Sequence, residues 1–213
     1  MEEGLLEIIY QDRDIVVLHK PEGLLSVPGK GEDKQDCVSA RLRRLFPGAP
    51  ENPAVHRLDM DTSGVMVYAL SREAHRNLSI QFQDRRVTKR YVALLAGTVT
   101  GSSGEIRLST RVDPENRPYQ IVDPEHGRMG ITLWENLGRE GSCTRILFTP
   151  LTGRTHQLRI HSAFPGGLGF PILGDRLYGT RAPGQRLCLH ARDLEFSHPR
   201  DGRPMVFRVP VPF

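Results

Sequence analysis

The chain has only three cysteines, Cys37, Cys143 and Cys188; they lie far apart and form no CxxC pair. This excludes a disulfide framework and a cysteine-ligated zinc site as organising features. No apolar run approaches the ~20 residues that a membrane-spanning helix needs. The opening Met1-Glu2-Glu3-Gly4 is acidic and lacks a signal-peptide layout, so the default compartment is the cytosol. Gly29 and Gly31 sit in a loop, but no GKS or GKT follows them, which argues against nucleotide binding. A dinucleotide fingerprint, a metal cluster and a lysine set in a cofactor motif are also missing, so no cofactor or metal is expected. Internal repeats, low-complexity tracts and linkers are absent as well. The 213 residues are therefore expected to form a single α+β domain spanning 1–213.

The residues present are those of an ordinary globule, with 38% hydrophobic and 25% charged side chains. The net charge of +4 is modest, and its placement matters more. Arg41, Arg43 and Arg44 fall in one predicted helix, and Arg85, Arg86, Lys89 and Arg90 cluster before a predicted strand. Such groups suit either a solvated surface or a phosphate-binding face.

The pattern predicts short strands over Leu5–Ile9 and Ile15–Leu18, the second ended by Lys20-Pro21. Val38, Leu42, Leu45 and Phe46 are spaced for one buried helix face, stopped by Pro47-Gly48. Ser71 is a predicted N-cap for a helix burying Ala74, Leu78 and Phe82. Tyr91 to Leu95 reads as a strand, and residues 99–127 as short strands with an irregular connector. Ile131–Trp134 and Thr144–Phe148 look like a strand pair. A helix is expected to begin at Thr152 or Gly153 and to carry Arg154, Leu158 and His161. The end is β-like over Leu187–His190, Leu194–Phe196 and Met205–Phe207.

The chain is organised around His56-Arg57-Leu58-Asp59-Met60-Asp61-Thr62-Ser63-Gly64, which runs into the apolar Val65-Met66-Val67-Tyr68-Ala69-Leu70. The apolar half reads as a buried strand, and a polar cluster at its mouth suits a catalytic site. Taken alone, the same residues also describe an ordinary Asx turn with Gly at positive φ. His156 and His161 are five apart with no Glu between them, which does not fit a zinc-binding His pair; core or RNA contact is the better reading.

The His56-Arg57-Leu58-Asp59-x-x-Thr62-Ser63-Gly64 stretch resembles the signature of RluA-type pseudouridine synthases. Other pieces of that family follow in order: Lys20-Pro21-x-Gly23-Leu24, Lys89-x-Tyr91-x-Ala93, Gly153 to His161, Pro171-Ile172-x-Gly174-Asp175-x-x-Tyr178-Gly179, and Leu189-His190-Ala191. Leu24 to Gly29 and Asn116-Arg117-Pro118 most resemble the small subgroup acting on ribosomal and transfer RNA. The resemblance implies a pseudouridine synthase catalytic domain without an S4 domain, built on a mixed, mainly antiparallel sheet with flanking helices and a central cleft. It implies structured RNA as substrate, a ribosomal or transfer RNA stem-loop, and no obligatory protein partner; a monomer is the default.

It also implies roles for single residues. Asp59 is the essential carboxylate, which either attacks C1′ as a nucleophile or removes the C2′ proton to give a glycal. Both routes need it ionised, and the resemblance gives Arg154 as its basic partner. Tyr91 stacks on the uracil and helps the final proton loss. Arg57 enters the gap left by the flipped base. His56 supports the turn, Thr62 and Ser63 hold it by local hydrogen bonds, and Leu158 and Leu189 supply apolar wall. Phe170 stands where the family commonly has His, in a loop longer than usual, which puts target specificity rather than catalysis in question. Two rival classes are an inactive RNA-binding module and a metal-dependent hydrolase using His56, Asp59 and Asp61.

Overall fold

The structure is a computed structural model that describes residues 6–213. The acidic start and Leu5 of the first predicted strand lie outside the described residues. In chain order the first half forms β1 (Glu7–Gln11), β2 (Ile15–Lys20), α1 (Val38–Leu45), β3 (Ser63–Ala69), α2 (Arg72–Gln83) and β4 (Thr88–Leu95). The second half forms β5 (Ser103–Val112), β6 (Gln120–Val122), β7 (Arg128–Glu140), β8 (Cys143–Pro150), α3 (Gln157–Ala163), β9 (Leu189–Ser197) and β10 (Pro204–Arg208). The chain divides into two compact units. The first runs up to Lys89 and is rejoined by Ala191–Pro210; the second comprises Arg90–His190 and Val211–Phe213.

In the first unit the strands lie in the order β1-β2-β3-β9-β10. β3 has strands on both sides and all seven of its residues are buried, which explains the apolar run from Val65 to Ala69. Its antiparallel register with β2 sets Lys20 opposite Gly64. Gly64 has φ 130°, and a Cβ there would lie 2.2 Å from the carbonyl oxygen of Ala191, so no larger residue fits. Ser71 Oγ accepts from Ala74 N–H at 3.2 Å and caps α2, whose Ala74 and Leu78 pack on a core with Ile15, Val17, Val65 and Val67. Cys37 Sγ accepts from Ala40 N–H at 3.4 Å at the start of α1. Leu45 departs from the expected buried face: it is 53% exposed, because the cover over α1 ends at Leu42 and Leu45 is the last helical residue.

In the second unit the order is β4-β8-β7-β5-β6, with every neighbouring pair antiparallel. The expected strand pair is present in longer form, and Trp134 sits opposite Phe148. Residues 99–127 were expected to hold only short strands, yet β5 is ten residues long and pairs with β7 from Ser103↔Glu135 to Thr110↔Arg128. Its Ile106, Leu108 and Thr110 alternate inward, a period-2 signal obscured by flanking Gly and Ser. The two predicted segments, Leu187–His190 and Leu194–Phe196, merge into one strand, β9, which begins at Leu189. The second core gathers Ala93, Leu95, Ile146, Phe148, Leu158 and Leu189.

Candidate active site

Asp59 lies on the turn entering β3 and is half-buried. Its two chain neighbours are both anchored through the backbone. On one side Ser26 Oγ accepts from Leu58 N–H at 3.1 Å and donates to Leu58 O at 2.8 Å. On the other, Met60 O accepts from Gly23 N–H at 2.9 Å and from Lys20 Nζ at 2.9 Å. The turn itself is closed by Thr62 N–H donating to Asp59 O at 3.1 Å. A carboxylate between two pinned residues has little freedom to move its backbone, which is what a preorganised reactive group requires.

Lys20 is fully buried at 0% exposure, and its ammonium also donates to Pro21 O at 2.8 Å and Leu24 O at 2.7 Å. Burial pulls its pKa down to about 8, against the pull of Asp59, Asp61 and Glu22, whose charges raise it. Sequence reasoning quoted Lys20 and Gly23 as parts of a motif but gave them no task. In the fold that motif grips the Asp59 turn. The signal available was a lysine closing a buried strand, one residue beyond the four apolar positions Ile15–Leu18.

His56 Nε2 accepts from Val67 N–H at 3.1 Å, and its ring stacks on Phe82 with centroids 4.6 Å apart. Part of the residue remains accessible, yet the imidazole is enclosed, and its pKa is pushed down to about 3 by desolvation and by nearby Lys89. It is a neutral group tying the turn to β3. The hydroxyl of Thr62, expected to hold the turn, is buried and makes no hydrogen bond among the described residues; the backbone N–H of Thr62 closes the turn instead. Arg57 is exposed and has no ion pair among the described residues. Asp61 is buried.

The remaining predicted residues lie in the second unit. Tyr91 is half-buried on β4, opposite Phe148. Leu158 and Leu189 belong to the second core at 7% and 3% exposure. Arg154 is not on a helix as expected: α3 begins at Gln157, because His156 takes a left-handed conformation with φ 53° and interrupts the turn before it. Gln157 organises this stretch. Its Oε1 accepts from Arg154 N–H at 2.9 Å and from the Thr152 hydroxyl at 2.7 Å, while Nε2 donates to Ile131 O at 3.1 Å. Arg154 Nε donates to Met129 O at 3.1 Å.

Below α3, Arg159 and Asp175 form a buried bidentate pair at 2.8 and 2.7 Å. Arg159 also lies over the Tyr178 ring, 5.4 Å from its centroid, and the Tyr178 hydroxyl is 2.9 Å from His156 Nδ1. The motif around Arg154 and the motif around Asp175 thus form one polar network. His161 is a buried core residue whose pKa is pushed down to about 4 by burial. One grouping among the described residues has metal-ligand spacing: Asp12, Asp14 and His198. Arg200 already takes both oxygens of Asp14 at 2.5 and 2.7 Å, and His198 Nε2 is hydrogen-bonded to Asp12 at 2.8 Å, so these atoms are engaged within the protein.

Comparison with known proteins places these residues in context. The sequence profile of the RNA pseudouridylate synthase family matches residues 14–164. The chain is 44% identical over 215 residues to a dual-specificity RNA pseudouridine synthase RluA from Haemophilus influenzae, covering 99% of this chain and 95% of that one. It is also 44% identical over 216 residues to the protein of the same name from Escherichia coli, covering 100% and 96%. Among solved structures, human RNA pseudouridylate synthase domain containing 1 superposes with a TM-score of 0.78 at 32% identity, covering 100% of this chain and 87% of that one. Human RNA pseudouridylate synthase domain containing 4 gives 0.74 at 26% identity, covering 97% and 88%. Both have the α+β architecture with a mostly antiparallel sheet described above, and no helix of the described residues is long and apolar enough to cross a membrane.

Proposed function

The chain belongs to the RNA pseudouridylate synthase family, and from that premise we propose which RNA it acts on and which of its residues carry the reaction. Its activity is the isomerisation of uridine in RNA to pseudouridine. Its relatives named dual-specificity enzymes support structured ribosomal RNA, transfer RNA or both as the substrate, presented as a stem-loop whose target base is flipped out. The 213 residues work as one catalytic domain, in a monomer, in the cytoplasm, with no obligatory protein partner.

In this reading Asp59 is the essential carboxylate, acting ionised at C1′ or C2′. Tyr91 stacks on the uracil, and Arg154 supplies the basic group. Arg57 fills the gap left by the flipped base. His56 and Thr62 build the turn against which the substrate is held, and Leu158 and Leu189 offer apolar wall. The observation that carries the assignment of Asp59 is the double anchoring of its turn by Ser26 on one side and by Lys20 and Gly23 on the other. An ordinary capping aspartate has no need of a buried ammonium spent on its neighbour's carbonyl.

The test is Asp59→Asn, which keeps the shape and removes the charge. Pseudouridine is mapped in total RNA from cells lacking the protein and complemented with wild type or variant. We expect one or a few sites to vanish on deletion and to return with wild type only, while the purified variant still binds RNA. Turnover by the variant near the wild-type rate sinks the assignment.

A further inference from the structure

A pocket of about 610 Å³ opens in the first unit between the start of the loop after Leu24, helix α1 and the segment leading to Asp59. The size is within the ~300–1,000 Å³ of clefts that take small ligands. Two guanidiniums, Arg43 from the last turn of α1 and Arg57, reach it, and both are exposed. Neither has a carboxylate partner among the described residues, whereas Arg41 on the same helix is held by Asp36 at 2.8 and 2.6 Å. A single carboxylate, Glu51, is exposed at the rim. Val27, Pro28, Ala54 and Val55 supply apolar wall, and Asn52 offers an amide that can donate and accept. His56 also lines the pocket, but its Nε2 is already used by Val67 and its ring is neutral, so it is a wall rather than an acid or base. Asp59 and Asp61 do not line it.

Unpaired guanidiniums beside apolar wall and one amide are the complement of a nucleotide: the base packs on the wall and meets the amide, and the phosphate meets arginine. We propose that this pocket is a second nucleotide subsite, holding an unpaired nucleotide next to the target uridine in the RNA. The proposal rests on the RNA-modifying function above. Arg57 connects the two sites, since it stands two residues before Asp59 and its neighbour Leu58 is pinned by Ser26. A nucleotide seated in the pocket would fix the register of the strand and so select which uridine is presented.

The test uses the full chain, irradiated with ultraviolet light in the presence of unfractionated transfer and ribosomal RNA, with adducts located by peptide mass spectrometry. Three forms are compared: wild type, Ala40→Phe, which fills the pocket from α1, and the exposed Arg43→Ala, which leaves packing alone. We expect a nucleotide adduct on the segment around Val27-Pro28 or Asn52–Val55, lost in Ala40→Phe and weakened in Arg43→Ala. On RNA that the wild type modifies, KM should rise about tenfold in Ala40→Phe with kcat little changed, and Arg43→Ala should shift KM the same way by less. No adduct on these segments, or an unchanged KM in Arg43→Ala together with an adduct that survives Ala40→Phe, overturns the proposal. Uridine monophosphate competing as well as RNA at equal nucleotide concentration also overturns it, since the pocket would then take free nucleotides. Absence of pseudouridine formation by the wild type counts against the function and leaves the adduct result to decide the subsite.

Discussion

Replacing Lys20 by methionine removes a buried cation while nearly conserving side-chain volume. The ammonium donates to Pro21 O, Leu24 O and Met60 O at 2.8, 2.7 and 2.9 Å. Met60 O keeps its bond from Gly23 N–H, so two carbonyls lose this donor outright. At ~1–3 kcal/mol for each orphaned acceptor, the loop and the Asp59 turn lose about 2–6 kcal/mol of support. If about 2 kcal/mol of that appears in the transition state, the rate falls roughly 30-fold. Titration of the same lysine gives the reasoning its sharper form. Its folded pKa, about 8, lies below its ordinary 10.5. Between those values the unfolded chain binds a proton that the folded chain has released, so the group's contribution to stability rises with pH across that window. Its contribution to the rate falls there, because a neutral amine has two N–H groups for three carbonyls and no charge to offer Asp59 and Asp61. Single-turnover rates of wild type and Lys20→Met on one RNA, from about pH 6.5 to about pH 9.5, separate these effects. Titration of the RNA cancels in the ratio of the two rates. That ratio should be roughly 30 near pH 7 and fall several-fold by about pH 9, while wild-type thermal stability shows no matching loss from this group. A ratio independent of pH would refute the role given to Lys20.

Other consequences follow from single contacts. Asp175→Asn leaves Arg159 buried without its counter-charge, and should cost ~3–5 kcal/mol, seen as a drop of about 10 °C in Tm. Burial raises the Asp175 pKa, but the hydrogen bonds and charge of Arg159 outweigh it and hold it below its ordinary value. The pair's contribution is thus present at neutral pH and lost only as pH falls through that lowered value, and wild-type denaturation in mild acid that Asp175→Asn abolishes would contradict this. Gly64→Ala forces a Cβ to within 2.6 Å of the Ala191 Cβ at a φ of 130°, at a cost of about 3 kcal/mol or more; a variant with wild-type Tm would refute the close approach. RNA affinity should fall linearly on a log–log plot against salt, and Arg43→Ala should make the slope shallower by about one; a flat wild-type response would remove the phosphate contacts from the account.

The sequence by itself determined the family, through motifs kept in one order from Lys20-Pro21 to Leu189-His190-Ala191, and much of the secondary structure. β3 was legible because a strand covered on both sides is apolar throughout. The helix α2 was legible because its Ser71 cap and its Ala74 and Leu78 stripe are interactions within a few residues of chain. What only the tertiary structure decided involves residues far apart in sequence. Lys20 reaches Met60 across forty positions, and Ser26 brackets Leu58 across thirty-two; neither pairing leaves a local signature. Arg154 was misplaced onto a helix because the residues after it favour one. The fold spends His156 in a left-handed conformation and Gln157 on four partners to hold that arginine on a turn instead. Leu45 has the spacing of a core residue but lies beyond the edge of what covers α1. In the same way, the pocket shared by Arg43 and Arg57 exists only once α1 and the segment before Asp59 are side by side. Local sequence encodes propensity and periodicity, whereas the identity of the group on the far side of a contact is fixed by packing, and the chemistry of Lys20, His56 and Asp59 is set by that far side.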